Sequence, residues 1–145
     1  MSISTRPRPA AAVDGGLSLA RLYAMRAGYA LMAVGLAVRK WPLLPHAHTM
    51  PLYEGVTLCL LTAMSILAIV GLRQPVRMLP LLVFETLWKV LWLALVALPK
   101  FLADDVDAGT SEVAVNCSLV LVIIAVTPWG HAWRQLIRGG GDRWR

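Results

Sequence analysis

Charge is scarce in this chain, and several chemical signatures are missing with it. Only 15% of the 145 residues are charged, against 58% hydrophobic, and the mean hydropathy is +0.65. A soluble domain is nearer a quarter charged and half apolar. There are two cysteines and no Cys-x-x-Cys, so thiol–disulfide exchange lacks its motif. No His-Glu-x-x-His, EF-hand loop or P-loop occurs, which leaves metalloprotease, calcium-sensor and nucleotide chemistry without support. Neither a nucleophile–base pair nor a cofactor fingerprint can be found, so no cofactor is assigned and a non-enzymatic role is expected.

What is present is a set of four long apolar runs, Leu19–Val38, Tyr53–Leu72, Leu79–Leu98 and Val113–Thr127, separated by short polar or Pro-containing segments. About 20 mostly apolar residues cross a bilayer as a helix. The pattern predicts an all-α, four-transmembrane-helix bundle, with spans at about 19–38, 53–72, 79–98 and 112–128 and one transmembrane domain over 17–133. The connections are too short for an extramembrane domain, so any chemistry belongs inside the bundle or at its two mouths.

The net charge of +6 and pI near 10.0 arise from basic residues that flank the runs. Arg6, Arg8 and Arg21 precede the first, Arg73 and Arg77 separate the second and third, and Arg134, Arg138, Arg143 and Arg145 follow the fourth. Four spans put these groups on one side. Arg39, Lys40 and Lys100 fall on the other, with Asp104, Asp105, Asp107 and Glu112. The positive-inside rule then places both termini in the cytoplasm. Basic charge in this arrangement orients the chain and touches anionic headgroups, so membrane lipids rather than nucleic acid are the expected partners. Residues 1–16 are rich in Pro, Ala and Gly without an apolar period and read as a disordered tail, and 134–145 as a basic tail. The first run is long for a signal-peptide core and contains Arg26, and Arg39-Lys40-Trp41 follows it rather than a small-residue cleavage site, so it is expected to be retained.

Gly28 and Gly35, with Ala24, Ala27, Ala30, Ala33 and Ala37, make the first helix small-surfaced and suited to close packing. Pro42 and Pro45 make Arg39–Pro51 extended or only locally helical. Pro80 sits where a first-turn proline is tolerated, and the short inner turn makes helices two and three antiparallel neighbours. Pro128 interrupts the fourth run. A helix that ends or kinks there and resumes at the interface fits Trp129, Trp133 and Trp144 as headgroup anchors.

The stretch Glu54–Pro99, and within it Arg77-Met-Leu-Pro-Leu-Leu-Val-Phe-Glu-Thr-Leu-Trp-Lys89, resembles a group of small uncharacterised bacterial four-helix membrane proteins. More distantly, Arg26-Ala-Gly and Glu54-Gly are similar to DoxX-like membrane proteins. The first resemblance implies a bacterial inner-membrane setting and no known activity. The second implies a four-helix bundle and a loose link to quinone or thiol redox systems.

Glu85 and Lys89 stand in the third run at i and i+4, the acid on the N-terminal side, as a same-face pair requires. Each costs about 2.5–3.5 kcal/mol inside a membrane helix by insertion scales, so an unpaired one is rare. Trp88 and Trp92 fall on the same side, with Lys89 against an indole face. Three readings stay open: a pair that locks helix three into the bundle, a proton- or substrate-coupled site, and a headgroup contact. Arg26, at a depth similar to Glu85, either joins them in an intramembrane polar cluster or snorkels to the inner headgroups.

His46, His48, Glu54, Asp104 and Asp105 gather on the outer side as a second candidate site, although His-x-His on a Pro-rich loop specifies no metal. Cys59 and Cys117 have matching depths, but helices two and four of an up-down bundle are diagonal, so both are expected as free, buried thiols. Asn116, Ser118, Thr57, Thr62 and Ser65 are candidates for interhelical hydrogen bonds. These readings point first to an accessory or interaction subunit that contacts another membrane protein or itself. The alternatives are a small proton-coupled transporter using Glu85, and a DoxX-like quinone- or lipid-associated redox component.

Overall fold

A computed structural model of the chain describes residues 16–138. The tail expected over 1–16 therefore lies almost wholly outside the described residues, as do Arg143, Trp144 and Arg145 of the basic tail. Among the described residues the fold is all-α. Helix α1 spans Leu19–Lys40, and a 3₁₀ segment Trp41–Thr49 leads to α2, Leu52–Arg73. Helix α3 runs over Leu79–Leu102, α4 over Ala108–Val126 and the short α5 over Trp129–Leu136.

Among the described residues three helices, α2, α3 and α4, are long and apolar enough to cross a membrane. Four were expected. Helix α1 matches α2 in length at 22 residues but carries Arg21 and Arg26 in its first turns and Arg39 and Lys40 at its end. Both early arginines are used on neighbouring helix ends. Arg21 donates to the Thr127 carbonyl at 3.0 Å and Arg26 Nε to the Leu72 carbonyl at 3.2 Å. These are the orphan carbonyls that every helix C-terminus leaves, and a cation there is favourable.

Helix α1 is the packing centre. It starts at Ser18, whose hydroxyl accepts the Arg21 N–H at 3.3 Å, a normal N-cap. Its buried stripe, Leu22, Met25, Tyr29, Met32 and Ala33, follows the three-to-four spacing of one helix face. The stripe packs on α2 and on the second half of α4. The Tyr29 ring is fully buried and donates its hydroxyl to Pro75 O at 2.9 Å. It fits because residue 71 is glycine: a Cβ there would lie 2.5–2.7 Å from three ring atoms. Gly28 does the same for α4, since a Cβ would come within 2.8 Å of Val126 Cγ2. Gly35, expected to share this role, faces open space.

These contacts fix the direction of every helix. The start of α1 meets the ends of α2 and α4 through Tyr29–Pro75 and Arg21–Thr127. At the opposite end Arg39 pairs with Glu112 at 2.5 Å and also donates to Asn116. Helix α3 packs on α4, α2 and α5, and α1 packs on α2 and α4, so α2 and α4 each contact both α1 and α3.

Two helix ends depart from the sequence expectation. Helix α3 continues past Pro99 to Leu102, because residues Leu93–Ala97 form a π turn in which the Leu98 N–H reaches Leu93 O. Widening that turn relieves the clash a proline ring makes with the carbonyl four residues back. The helix then closes with Asp104 at φ 54, its N–H on Phe101 O and the Asp105 N–H on Lys100 O. This is a Schellman end with aspartate in the left-handed position where glycine is usual. Helix α4 begins at Ala108, ahead of the apolar run that starts at Val113, because the Asp107 side chain accepts the Thr110 N–H at 2.5 Å and caps the helix. At its far end α4 stops at Val126, and α5 resumes after Pro128, as expected for an interrupted fourth run. Trp129, Trp133, Leu136 and Ile137 make an exposed apolar stripe along α5, while Ala132 packs inward.

Candidate functional site

The polar centre among the helices lies in the N-terminal half of α3. Glu85 is two turns into the helix and 1% exposed, and each of its carboxylate oxygens has a donor from its own helix. Lys89 Nζ sits 2.7 Å from Oε1, and the Trp88 indole N–H donates to Oε2 at 2.7 Å. Helical spacing accounts for both contacts, since positions i+3 and i+4 overlie i on one face. The lysine side chain is 12% exposed, with its ammonium 5.7 Å from the Trp88 ring centre. Trp88 thus serves the pair twice, as a hydrogen-bond donor to the acid and as a π face to the base. The donor role was missed in the sequence, where Trp88 reads only as an aromatic neighbour; its i+3 offset from Glu85 was the signal.

Around this pair the helix is held by apolar contacts. Leu79, Leu81 and Leu82 are buried in the turns before the pair, and Thr86 returns its hydroxyl to Leu82 O at 2.9 Å. No buried side-chain nitrogen or oxygen among the described residues lacks a hydrogen-bond partner. The centre is closed in the sense that both carboxylate oxygens and the ammonium each have a partner on α3.

Arg26 does not join it. Its guanidinium caps the end of α2 at Leu72 O and lies 5.4 Å from the Tyr23 ring centre. In place of Glu85, its partner is a helix-end carbonyl, which satisfies the cation without a long reach. The polar cluster expected from Arg26, Glu85 and Lys89 is therefore Glu85, Trp88 and Lys89.

His46, His48, Glu54, Asp104 and Asp105, expected on the outer side, are all exposed. Among the described residues no group of three or more His, Cys, Asp or Glu side chains is placed to hold a metal ion. His46 and His48 ride on the 3₁₀ segment, whereas the two aspartates belong to the turn between α3 and α4. What does form there is a pair of latches. Arg39 bridges to Glu112 and Asn116, and Lys100 reaches Asp107 at 3.1 Å and Thr110 at 3.0 Å. The Thr110 backbone N–H, then its hydroxyl and the Lys100 ammonium, hold the Asp107 carboxyl down to about 2.

Cys59 and Cys117 are both free, but only Cys117 is buried; Cys59 points outward from α2. The expected interhelical bonds also divide. Ser65 donates to Ala33 O on α1 at 3.2 Å, and Asn116 accepts from Arg39. Thr57, Thr62 and Ser118 instead bond back to carbonyls four residues earlier in their own helices. That local partner is always within reach of a helical hydroxyl.

No family model, curated protein or solved structure matches the chain.

Proposed function

We propose that this chain is a multi-pass protein of a bacterial inner membrane that crosses the bilayer four times and serves as an accessory or interaction subunit rather than an enzyme. The observation that carries the role is the closure of the Glu85 centre. Its carboxylate accepts from Lys89 and Trp88 on the same helix. A proton-coupled carrier needs a carboxylate that can exchange its partner for a proton or a substrate, and this one is engaged on both oxygens. The centre instead supports a pair that fixes α3 in the bundle.

In this reading α1 supplies the fourth crossing, its two inner arginines neutralised against helix ends. The end that gathers Arg21, Arg26, Arg73, Arg77, Arg134 and Arg138 faces the cytoplasm, and the end with Asp104, Asp105, Asp107 and Glu112 faces outward. The exposed faces of α2 and α3, among them Leu60, Ile66, Leu87, Leu91 and Leu95, meet acyl chains or a partner helix. The resemblance to small bacterial four-helix proteins agrees with this arrangement. The DoxX-like likeness adds only a loose tie to quinone or thiol redox systems.

Purification in a mild detergent, with identification of what travels with the chain, tests the role. A reproducible membrane-protein companion or a self-association is expected. Repeated recovery as a lone, catalytically active species would overturn it, and so would proton-driven uptake in proteoliposomes that disappears in Glu85→Gln.

A further inference from the structure

At the outer mouth the 3₁₀ segment Trp41–Thr49 folds back against α1 and α2. It leaves an open groove of about 390 Å³, lined by Lys40, Leu43, Met50, Tyr53, Glu54, Thr57 and Leu58. Lys40 ends α1 and Glu54 stands in the first turn of α2, so the groove carries one cation and one anion. Among the described residues neither makes an ion pair or a side-chain hydrogen bond, unlike Arg39, Lys100 and Asp107. The remaining wall is mostly apolar. It continues down α2 through exposed Val56 and Leu60, and Tyr53 stands exposed at its rim.

We propose that this groove holds the headgroup of a phospholipid with a primary ammonium, its phosphate at Lys40 and its ammonium at Glu54. The two charges together select a zwitterion. A lone lysine would favour any anionic lipid, and a carboxylate beside it repels a headgroup that brings a phosphate without a cation. The apolar wall argues for a lipid over a free zwitterion, because the acyl chains have a hydrophobic track leading into the bilayer. An exposed tyrosine at that level is the usual interfacial aromatic.

The site rests on the bundle lying in a membrane, which carbonate-resistant fractionation tests independently of any lipid preference. Native mass spectrometry of the full chain with phosphatidylethanolamine, phosphatidylcholine and phosphatidylglycerol tests the site itself. The expected wild-type order favours phosphatidylethanolamine over phosphatidylglycerol by about tenfold, the scale of one charge-assisted hydrogen bond. Glu54→Gln should bring that ratio to within about twofold, and Lys40→Gln should weaken retention of all three lipids. A wild-type preference for phosphatidylglycerol, which general attraction to a +6 chain would produce, overturns the proposal. An ethanolamine preference unchanged in Glu54→Gln overturns it too. If that variant does not fold, the methylation series in the wild type decides: equal retention of phosphatidylcholine and phosphatidylethanolamine refutes ammonium recognition at Glu54.

Discussion

Glu85→Gln combined with Lys89→Met should damage the fold less than the two single changes do in sum. The ammonium lies 2.7 Å from the carboxylate, and the acid is 1% exposed. At an effective dielectric near 20 the gross attraction at that separation is about 6 kcal/mol. Desolvation of two ions offsets much of it, so the pair need not add net stability. Removing one member is different, because the other charge stays buried. Lys89→Met leaves Glu85 with only the Trp88 N–H, and Glu85→Gln leaves an ammonium with a neutral oxygen in place of an anion. Each single change should cost about 3–5 kcal/mol, the range for breaking buried pairs. The double variant should recover at least about 2 kcal/mol of the summed loss. Reversible unfolding in mixed micelles, followed through all four variants, measures that coupling. Additive losses, or singles that are tolerated, would show that the two charges do not act as one unit. A double variant that folds fully but loses co-purification of a partner would move the pair from scaffold to function.

Gly71→Ala should destabilise by about 1–3 kcal/mol, because its Cβ would meet the Tyr29 ring at 2.5–2.7 Å, whereas Gly35→Ala, in open space, should be neutral or slightly stabilising in the same unfolding assay. Maleimide should label both cysteines after denaturation without reductant; in the folded protein it should reach outward-facing Cys59 well before buried Cys117, and labelling that requires reductant would reveal a bridge. Asp107, held down to about 2 where an unfolded aspartate titrates near 3.9, adds stability above pH 4 that fades as pH falls towards 2. The stability gap between wild type and Asp107→Asn should therefore narrow across that window in an acid titration, and a gap constant from pH 5 to 2 would exclude Asp107 as its source.

The long apolar runs made the order of the helices legible and located the three of membrane-spanning length, because hydrophobic length is a property of composition alone. The ends were less so. Pro99 reads as a stop, and only a π turn lets α3 pass through it. Asp107 caps α4 from within a polar stretch that carries no apolar period. The Glu85–Lys89 pair was visible from its spacing, since both partners share one helix. Arg26 was misplaced for the opposite reason: its partner is a backbone carbonyl at Leu72, and a carbonyl leaves no trace in a sequence. The same holds for Arg21 at Thr127 and Tyr29 at Pro75. The groove beside the 3₁₀ segment was partly legible through Glu54, but Lys40 joins it only because that segment folds back.

The central claim is four crossings, with the Glu85 centre inside the bilayer and both ends of the chain on one side. It is tested most directly by paired reporters, one fused at the C-terminus and one inserted at Asp105, in the turn between α3 and α4. An alkaline phosphatase reporter should be active only at Asp105 and a fluorescent protein only at the C-terminus. The same compartment reported from both positions would mean that α4 does not span, and the four-helix membrane bundle would be wrong.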